Sequence, residues 1–164
     1  TDEKAVRASV ATVRAGLQGQ KLFGLVNNAG ISVVGPLVYL PIAEFRQQLE
    51  VNLTGLVIAT QAFAPLLGIE EGLAGKPGRI VNIGSVGGRN AFPFIVPYNT
   101  SKFGLEGLSE ALRRELMLFD IDVIVIAPGA VVTGHARLPR FTDPYSGTFS
   151  MKLGVEGCQA PLRP

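Results

Sequence analysis

The chain has 164 residues, of which 47% are hydrophobic, 17% charged and 7% aromatic, a composition typical of one soluble globular domain. The net charge of only +2 excludes the basic surface that nucleic-acid binding requires, and no apolar run reaches the roughly 18 residues of a membrane span. The single cysteine, Cys158, excludes an internal disulfide and a cysteine-built zinc site, and it favours a reducing, cytoplasmic location.

The first 30 residues predict a helix followed by a strand and a tight turn. Apolar residues recur at helical spacing up to Leu17, and Thr1 or Asp2 is a suitable N-cap, which predicts an amphipathic helix over 2–17. The continuous apolar run over 22–26 predicts a strand buried on both faces, closed by a turn over 27–30.

A second group of patterns predicts two long helices and two further strands. The segment 43–66 has a helical pattern in which Asn52, Gly55 and Pro65 are expected to produce a kink or a break. The later elements are a strand over 79–83, a helix over 97–119 and a strand over 121–127.

Strands that alternate with helices predict an α/β fold with a parallel sheet and helices on both of its faces. Residues 134–164 contain four prolines, four glycines and no clear hydrophobic period. We therefore expect a loop there, with at most one short helical turn, belonging to the same domain as residues 1–133. No cluster of metal ligands is predicted.

Four polar residues stand in otherwise apolar surroundings: Asn52, Ser85, Tyr98 and Lys102. Ser85 follows the carboxyl end of a predicted strand, where open parallel sheets bind their ligands. Tyr98 and Lys102 are four residues apart near the start of a helix and so share one face. A nearby ammonium favours a phenolate, and it lowers the pKa of a phenol from near 10 towards the range useful for acid–base catalysis. This set suits interconversion of an alcohol and a carbonyl, with hydride carried by a separate cofactor.

These residues belong to five segments that resemble the motifs of a known family, the short-chain dehydrogenases/reductases. The segments are, in chain order, the turn Asn27-Asn28-Ala29-Gly30, the asparagine segment Val51-Asn52-Leu53-Thr54-Gly55, Ser85, the Tyr-x-x-x-Lys segment Tyr98-Asn99-Thr100-Ser101-Lys102, and Pro128-Gly129 with Thr133. Because they occur in the family's order over residues 22–133, together they are specific where each alone is weak.

The resemblance implies part of a doubly wound, Rossmann-like fold and an NAD- or NADP-dependent oxidoreductase acting on a small alcohol or carbonyl compound. By the same resemblance, Tyr98 is the general acid/base, Lys102 tunes Tyr98 and binds the nicotinamide ribose, and Ser85 orients the substrate. Asn52 would support a water-linked proton relay. Tyr98 is also implied to contact the cofactor, and the other implied positions are Asn27, Asn28, Ala29, Gly30, Pro128, Gly129 and Thr133.

The chain departs from the family pattern at its start. The family's glycine-rich Thr-Gly-x-x-x-[Ala/Gly]-x-Gly turn, which binds the pyrophosphate, precedes the NNAG turn by several strands, whereas only 26 residues precede Asn27 here. The nearest match, Thr54-Gly55 with Ala59, has Gln61 where glycine is required and lies inside a predicted helix. We therefore expect the catalytic half of the fold, with an upstream segment, and any targeting signal in it, missing before Thr1.

Two other functions stay open. Ser85, Asp122 and His135 occur in the chain order of an α/β serine hydrolase triad, although Ile83 replaces the first glycine of the Gly-x-Ser-x-Gly elbow. A non-catalytic fragment that pairs with a partner is the second possibility, supported by the absent pyrophosphate turn. His135 is otherwise interpreted as a solvated loop residue, and Cys158 receives no role.

The apolar faces of the predicted helices 43–66 and 97–119 exceed what one small sheet covers. These faces are either part of the intramolecular core or the interface of a homodimer. The family resemblance implies a dimer as readily as the core reading.

Overall fold

The computed structural model describes residues 1–129, 141–143 and 147–149, which fall into two units, Thr1–Val131 and Val132–Pro164. The predicted positions Thr133, His135 and Cys158 lie outside the described residues.

The chain opens with helix α1, Glu3–Leu17, as its apolar spacing predicts. Asp2 is the N-cap, and its side chain accepts a hydrogen bond of 3.0 Å from the backbone N–H of Ala5. Gln18 has a left-handed conformation with φ of 50° and ends the helix. One of the two predicted caps is thereby identified as Asp2.

Three parallel strands form the central sheet in the order β1, Gly24–Asn27, β2, Arg79–Ile83, and β3, Asp122–Ile126. The register aligns Leu25 with Ile80 and Ile80 with Val123. This confirms the predicted α/β class with a parallel sheet.

A long helical run follows β1, and its hydrogen-bonding pattern changes from α-helical to π-helical at two places, where a kink or break is predicted. It consists of α2, Ile42–Leu49, a π-helical turn, Glu50–Thr54, then α3, Gly55–Ala64, and a second π-helical turn, Pro65–Ile69. The first wide turn contains Asn52 and the second begins at Pro65, which has no N–H to donate to an α-helical ladder. The predicted kink or break is therefore two local widenings together with a true kink at Gly68, whose φ of 151° is not helical.

The run Ile42–Ile69 is long and apolar enough, by length and composition alone, to cross a membrane. This is weak evidence, because 44% of the apolar window is buried inside the molecule and the core helix of a globular domain passes the same test. The sequence expectation of no membrane span rested on uninterrupted apolar runs, and this helix is interrupted by charged and polar residues.

Helix α4, Val96–Leu116, and a 3₁₀ turn, Met117–Phe119, precede β3. The core between sheet and helices contains Leu67, Ile80, Leu116, Ile121 and Val123. The prediction of one buried face on α4 is confirmed at Leu105 and Leu116, whereas Phe119 is 38% exposed.

The opposite face of the sheet is open in the described part of the chain. Val26 is 62% exposed, Ile124 40% and Ile126 49%. The prediction that the first strand is buried on both faces is therefore wrong, and so is the expectation of helices on both faces for residues 1–129. A continuous apolar run shows that both faces of a strand are hydrophobic. Each face is buried only where another element of the fold packs against it.

The second unit contains two short antiparallel strands, β4, Phe141–Asp143, and β5, Gly147–Phe149, with Phe141 opposite Phe149. The expectation of a loop with at most a helical turn is wrong here. Strands of three residues are too short for an alternating pattern to be recognised in the sequence.

Buried amide side chains connect the sheet to its helices. The amide of Asn27 donates to Asn82 Oδ1 at 2.9 Å and to Thr60 Oγ1 at 3.2 Å, and Asn82 donates to Ser109 Oγ at 2.9 Å. Asn82 is completely buried. These bonds satisfy polar groups beneath the carboxyl edge of the sheet and tie β1 and β2 to α3 and α4.

Candidate functional site

The carboxyl ends of the three strands and the start of α4 enclose a cavity of about 300 Å³. The residues that define its walls are Asn28 and Gly30 after β1, Ser85 after β2, Gly129 after β3, and Tyr98 and Lys102 from α4. Residues from three strand ends and from the start of α4 thus line one space, at the edge where parallel sheets bind ligands.

Ser85 lies two residues after the end of β2. It is the N-cap of a 3₁₀ turn, Val86–Gly88, and its Oγ accepts a 3.0 Å hydrogen bond from the N–H of Gly87. This bond fixes the hydroxyl oxygen while leaving the hydroxyl hydrogen available to a ligand oxygen.

Gly87 allows the serine and tyrosine side chains to approach each other. A Cβ atom at this position would lie 3.2 Å from Tyr98 Cε1 and 3.4 Å from Ser85 Oγ. Gly88 meets α4 even more closely, because a Cβ there would lie 2.8 Å from the carbonyl oxygen of Lys102. The two glycines therefore let the strand end pack directly on the helix that carries Tyr98.

Lys102 is held rigidly beneath the cavity. Its Nζ donates a 2.7 Å hydrogen bond to the carbonyl oxygen of Ile83 and lies 5.7 Å from the centre of the Tyr98 ring. The residue is only 7% exposed, and burial lowers the pKa of the Lys102 ammonium from its ordinary 10.5. The predicted role of Lys102 in tuning Tyr98 stays a prediction.

Asn52 lies behind the wall of the cavity, with 2% exposure. Its Oδ1 accepts from the N–H of Ile31 at 2.9 Å, and its Nδ2 donates to the Ile31 carbonyl at 3.1 Å and to Ser101 Oγ at 3.0 Å. The side chain thus joins the segment after β1 to α4. The predicted role in a proton relay stays a prediction.

The remaining predicted cofactor positions divide into two groups. Asn28, Gly30, Pro128 and Gly129 line the cavity. Asn27 is the last residue of β1 and turns its amide into the buried network below the sheet edge, and Ala29 is not among the described residues that line the cavity.

The geometry excludes the hydrolase triad. Asp122 is the first residue of β3 and pairs with Arg79, six positions before Ser85 along the β2 direction. At about 3.3 Å per residue, the two side chains are roughly 20 Å apart, at opposite ends of the sheet. Among residues 1–129, moreover, no three His, Cys, Asp or Glu side chains form a group that could hold a metal ion.

Gln48 and Ser32 are the site-related residues that the sequence interpretation missed. Gln48 is completely buried and contacts the loop that contains Ser32, which lines the cavity. The signal was present, because Gln48 is one helical turn before Asn52 and on the same helix face.

An open parallel sheet with Ser, Tyr and Lys side chains around one cavity at its carboxyl edge defines an α/β ligand-binding domain of the doubly wound class. Residues 1–140 match the family model described as short chain dehydrogenase, and the chain belongs to this family. The family resemblance drawn from the five motifs is thereby confirmed.

Two curated relatives illustrate the range of the family. The chain is 39% identical over 133 residues to the NADPH-dependent 3-dehydrocapnine reductase of Ornithobacterium rhinotracheale, covering 81% of this chain and 47% of that protein. It is 40% identical over 130 residues to the mitochondrial D-beta-hydroxybutyrate dehydrogenase of Rattus norvegicus, covering 78% and 36%. The chain thus spans half or less of the length of these relatives.

Solved structures agree on the fold. A short-chain dehydrogenase from Streptomyces avermitilis is 32% identical with a TM-score of 0.71, covering 82% of this chain and 47% of that one. The NAD⁺-bound xylitol dehydrogenase is 30% identical with a TM-score of 0.73, covering 81% and 49%.

Proposed function

We propose that these residues are the catalytic half of an NAD- or NADP-dependent oxidoreductase that interconverts a secondary alcohol and a ketone. The observation that carries this proposal is the convergence of Ser85, Tyr98 and Lys102 on one cavity at the carboxyl edge of the sheet. Membership of the short chain dehydrogenase family supports the same reaction class.

In this proposal Ser85 and Tyr98 act on the reacting oxygen of the substrate, and Lys102 acts on Tyr98. Ser85 donates its hydroxyl hydrogen to that oxygen, because its own oxygen already accepts from Gly87. Tyr98 gives the proton to the oxygen in ketone reduction and removes it in alcohol oxidation. Lys102 stabilises the phenolate form of Tyr98 through its fixed positive charge.

The described residues fit the nicotinamide end of the cofactor. Asn28 and Lys102 supply polar groups, and Gly30 and Gly129 line the cavity without side chains that would fill it. When bound, the nicotinamide supplies the hydride acceptor or donor. Thr54 and Gly55 lie inside the helical run, so they do not form a pyrophosphate turn. NAD and NADP both stay candidates, as among the relatives.

A binding comparison tests this assignment on the 164-residue chain itself. We expect reduced nicotinamide mononucleotide and NADH to bind within about threefold of each other, with Kd on the order of 1 mM, because residues 1–129 contact only one end of the dinucleotide. Titration with detection by amide NMR shifts at Gly30, Ser85 and Gly129 measures both. If the mononucleotide does not shift these amides at a concentration 10-fold above the expected Kd, the cofactor assignment is contradicted.

We also propose that the long helices form a homodimer interface and that the protein acts in the cytoplasm. Ile42 at the start of α2 is 61% exposed and Phe103 on α4 is 46% exposed, so both helices present apolar side chains outward. The single cysteine supports the location.

The dimer is tested by replacing Phe103→Glu and measuring mass by sedimentation equilibrium. We expect the unmodified chain to be a dimer and the variant to be a monomer at the same concentration, because a carboxylate at an apolar contact loses its hydration. Leu118→Glu is the matched control, since Leu118 is 86% exposed in the 3₁₀ turn after α4. An unmodified chain that sediments as a monomer, or equal dimerisation of both variants, contradicts the interface.

A further inference from the structure

Gln48 is a completely buried polar residue whose two side-chain hydrogen bonds both go to the segment after β1. Its Oε1 accepts a 2.6 Å hydrogen bond from the N–H of Val33, and its Nε2 donates a 2.6 Å hydrogen bond to the carbonyl of Ile31. The amide therefore spans Ser32 and binds the backbone on both sides of it.

The segment Ile31–Val33 belongs to no helix or strand, so regular structure does not satisfy these backbone groups. Gln48 and Asn52, one turn apart on the same helical run, bind it together: both side chains donate to the Ile31 carbonyl, and Asn52 also accepts from the Ile31 N–H. Two buried amides thus determine the path of this short segment.

Ser32 is the part of this segment that matters for the cavity, because Ile31 and Ser32 both line it. Three residues after Ser32, the N–H of Gly35 donates a 2.7 Å hydrogen bond to the carbonyl of Phe94. The wall after β1 is thereby held from α2 at one end and joined to the loop before α4 at the other.

We propose that Gln48 is a positioning residue for the ligand cavity, which acts through the backbone of Ile31 and Val33 to hold Ser32 in the cavity wall. The identity of the ligand rests on the proposed function, whereas the clamp itself rests on the contacts of Gln48. A glutamine suits this task because its amide presents a donor and an acceptor at the same end of one side chain. A methionine fills a similar volume with neither group.

The test compares Gln48→Met with Gln47→Met, since Gln47 is the neighbouring residue of α2 and is exposed. We expect amide hydrogen exchange at Val33 to accelerate at least about tenfold in Gln48→Met and to stay unchanged in Gln47→Met. Exchange at Leu105 in α4 stays unchanged in both, which separates positioning of the wall from general loosening of the core.

The ligand readout is the Kd of reduced nicotinamide mononucleotide and the amide shift of Ser32. We expect Gln48→Met to weaken binding about tenfold and to displace the Ser32 resonance, and Gln47→Met to do neither. Equal exchange at Val33 in the two variants, or accelerated exchange with unchanged affinity, overturns the proposal.

Two further outcomes distinguish a failure of the clamp proposal from a failure of the proposed function. If Gln48→Met does not fold, the unmodified chain decides: saturating mononucleotide must shift the Ser32 amide, and an unshifted Ser32 overturns the role of this wall. If the unmodified chain binds no mononucleotide, the proposed function fails, and the exchange comparison at Val33 alone supports or overturns the clamp.

Discussion

Replacing Tyr98→Phe is expected to lower kcat for secondary-alcohol oxidation and ketone reduction by about 10²–10⁴-fold in the oxidoreductase that contains these residues. The phenylalanine ring keeps the contact with Gly87 and the position above Lys102, so only the hydroxyl is lost. Because the lost group acts on the proton and not on the nicotinamide, the Kd of the reduced cofactor changes by less than about threefold. Steady-state kinetics and a cofactor titration measure the two effects.

Tyr39→Phe is the matched control, since Tyr39 lies in the 3₁₀ turn Leu37–Tyr39 and is 61% exposed. The same chemical change at a residue outside the cavity lining leaves kcat within about twofold of the unmodified value. A Tyr98→Phe enzyme that retains more than a tenth of its turnover refutes general acid–base catalysis by Tyr98, even if both variants fold normally.

The convergence of Ser85, Tyr98 and Lys102 could be predicted from the sequence because it follows from one rule about strand ends and one about helix spacing. A residue after a buried parallel strand lies at the carboxyl edge, and residues four apart on a helix share a face. Both rules depend on local spacing alone, and the structure places these three side chains around the same cavity.

The directions of the asparagine side chains could not be predicted in the same way. Asn27 belongs to the last position of β1 and points into the buried network, because the register places it beside Asn82. Asn52 lies in a π-helical turn, and its amide bonds to the Ile31 backbone and to Ser101 Oγ, neither of which the sequence places near it. Motif position identifies such residues, but only backbone geometry tells whether they contact a ligand or another part of the chain.

The exposed face of β1 and β3 likewise could not be predicted from the sequence. The apolar residues of both strands indicate a buried environment, yet burial depends on elements that must pack against them. In the described residues, α4 and the π-helical turn Pro65–Ile69 supply such cover for the face with Leu25 and Ile80, and Val26 and Ile124 remain exposed. A pattern in one strand therefore predicts its preference, and the rest of the fold decides whether that preference is met.

The second large effect is expected at Gly78, which precedes β2 and determines how closely β2 approaches the segment before β1. A Cβ atom at this position would overlap the carbonyl oxygen of Leu22, and it would lie 2.9 Å from the carbonyl oxygen of Phe23 and 2.8 Å from Leu67 Cδ2. Two of these contacts are backbone atoms, which cannot move aside as a flexible side chain does. The N–H of Gly78 also donates a 2.7 Å hydrogen bond to the carbonyl of Leu67, so the strand cannot retreat without losing it.

Gly78→Ala should therefore lower the free energy of unfolding by about 3 kcal/mol or more, measured by urea denaturation of the 164-residue chain. Gly107→Ala is the matched control: Gly107 is exposed on α4, and nothing lies within 4 Å of its added Cβ. There the same substitution should stabilise the chain by about 0.5–1 kcal/mol, because alanine loses less backbone entropy than glycine in a helix. Opposite signs at the two sites identify close packing as the cause at Gly78, since the same methyl group is added in both variants and only the one at Gly78 meets atoms of the folded chain. A Gly78→Ala chain as stable as the unmodified one would mean that the start of β2 shifts freely against Leu22, and that this junction does not fix the register of the sheet.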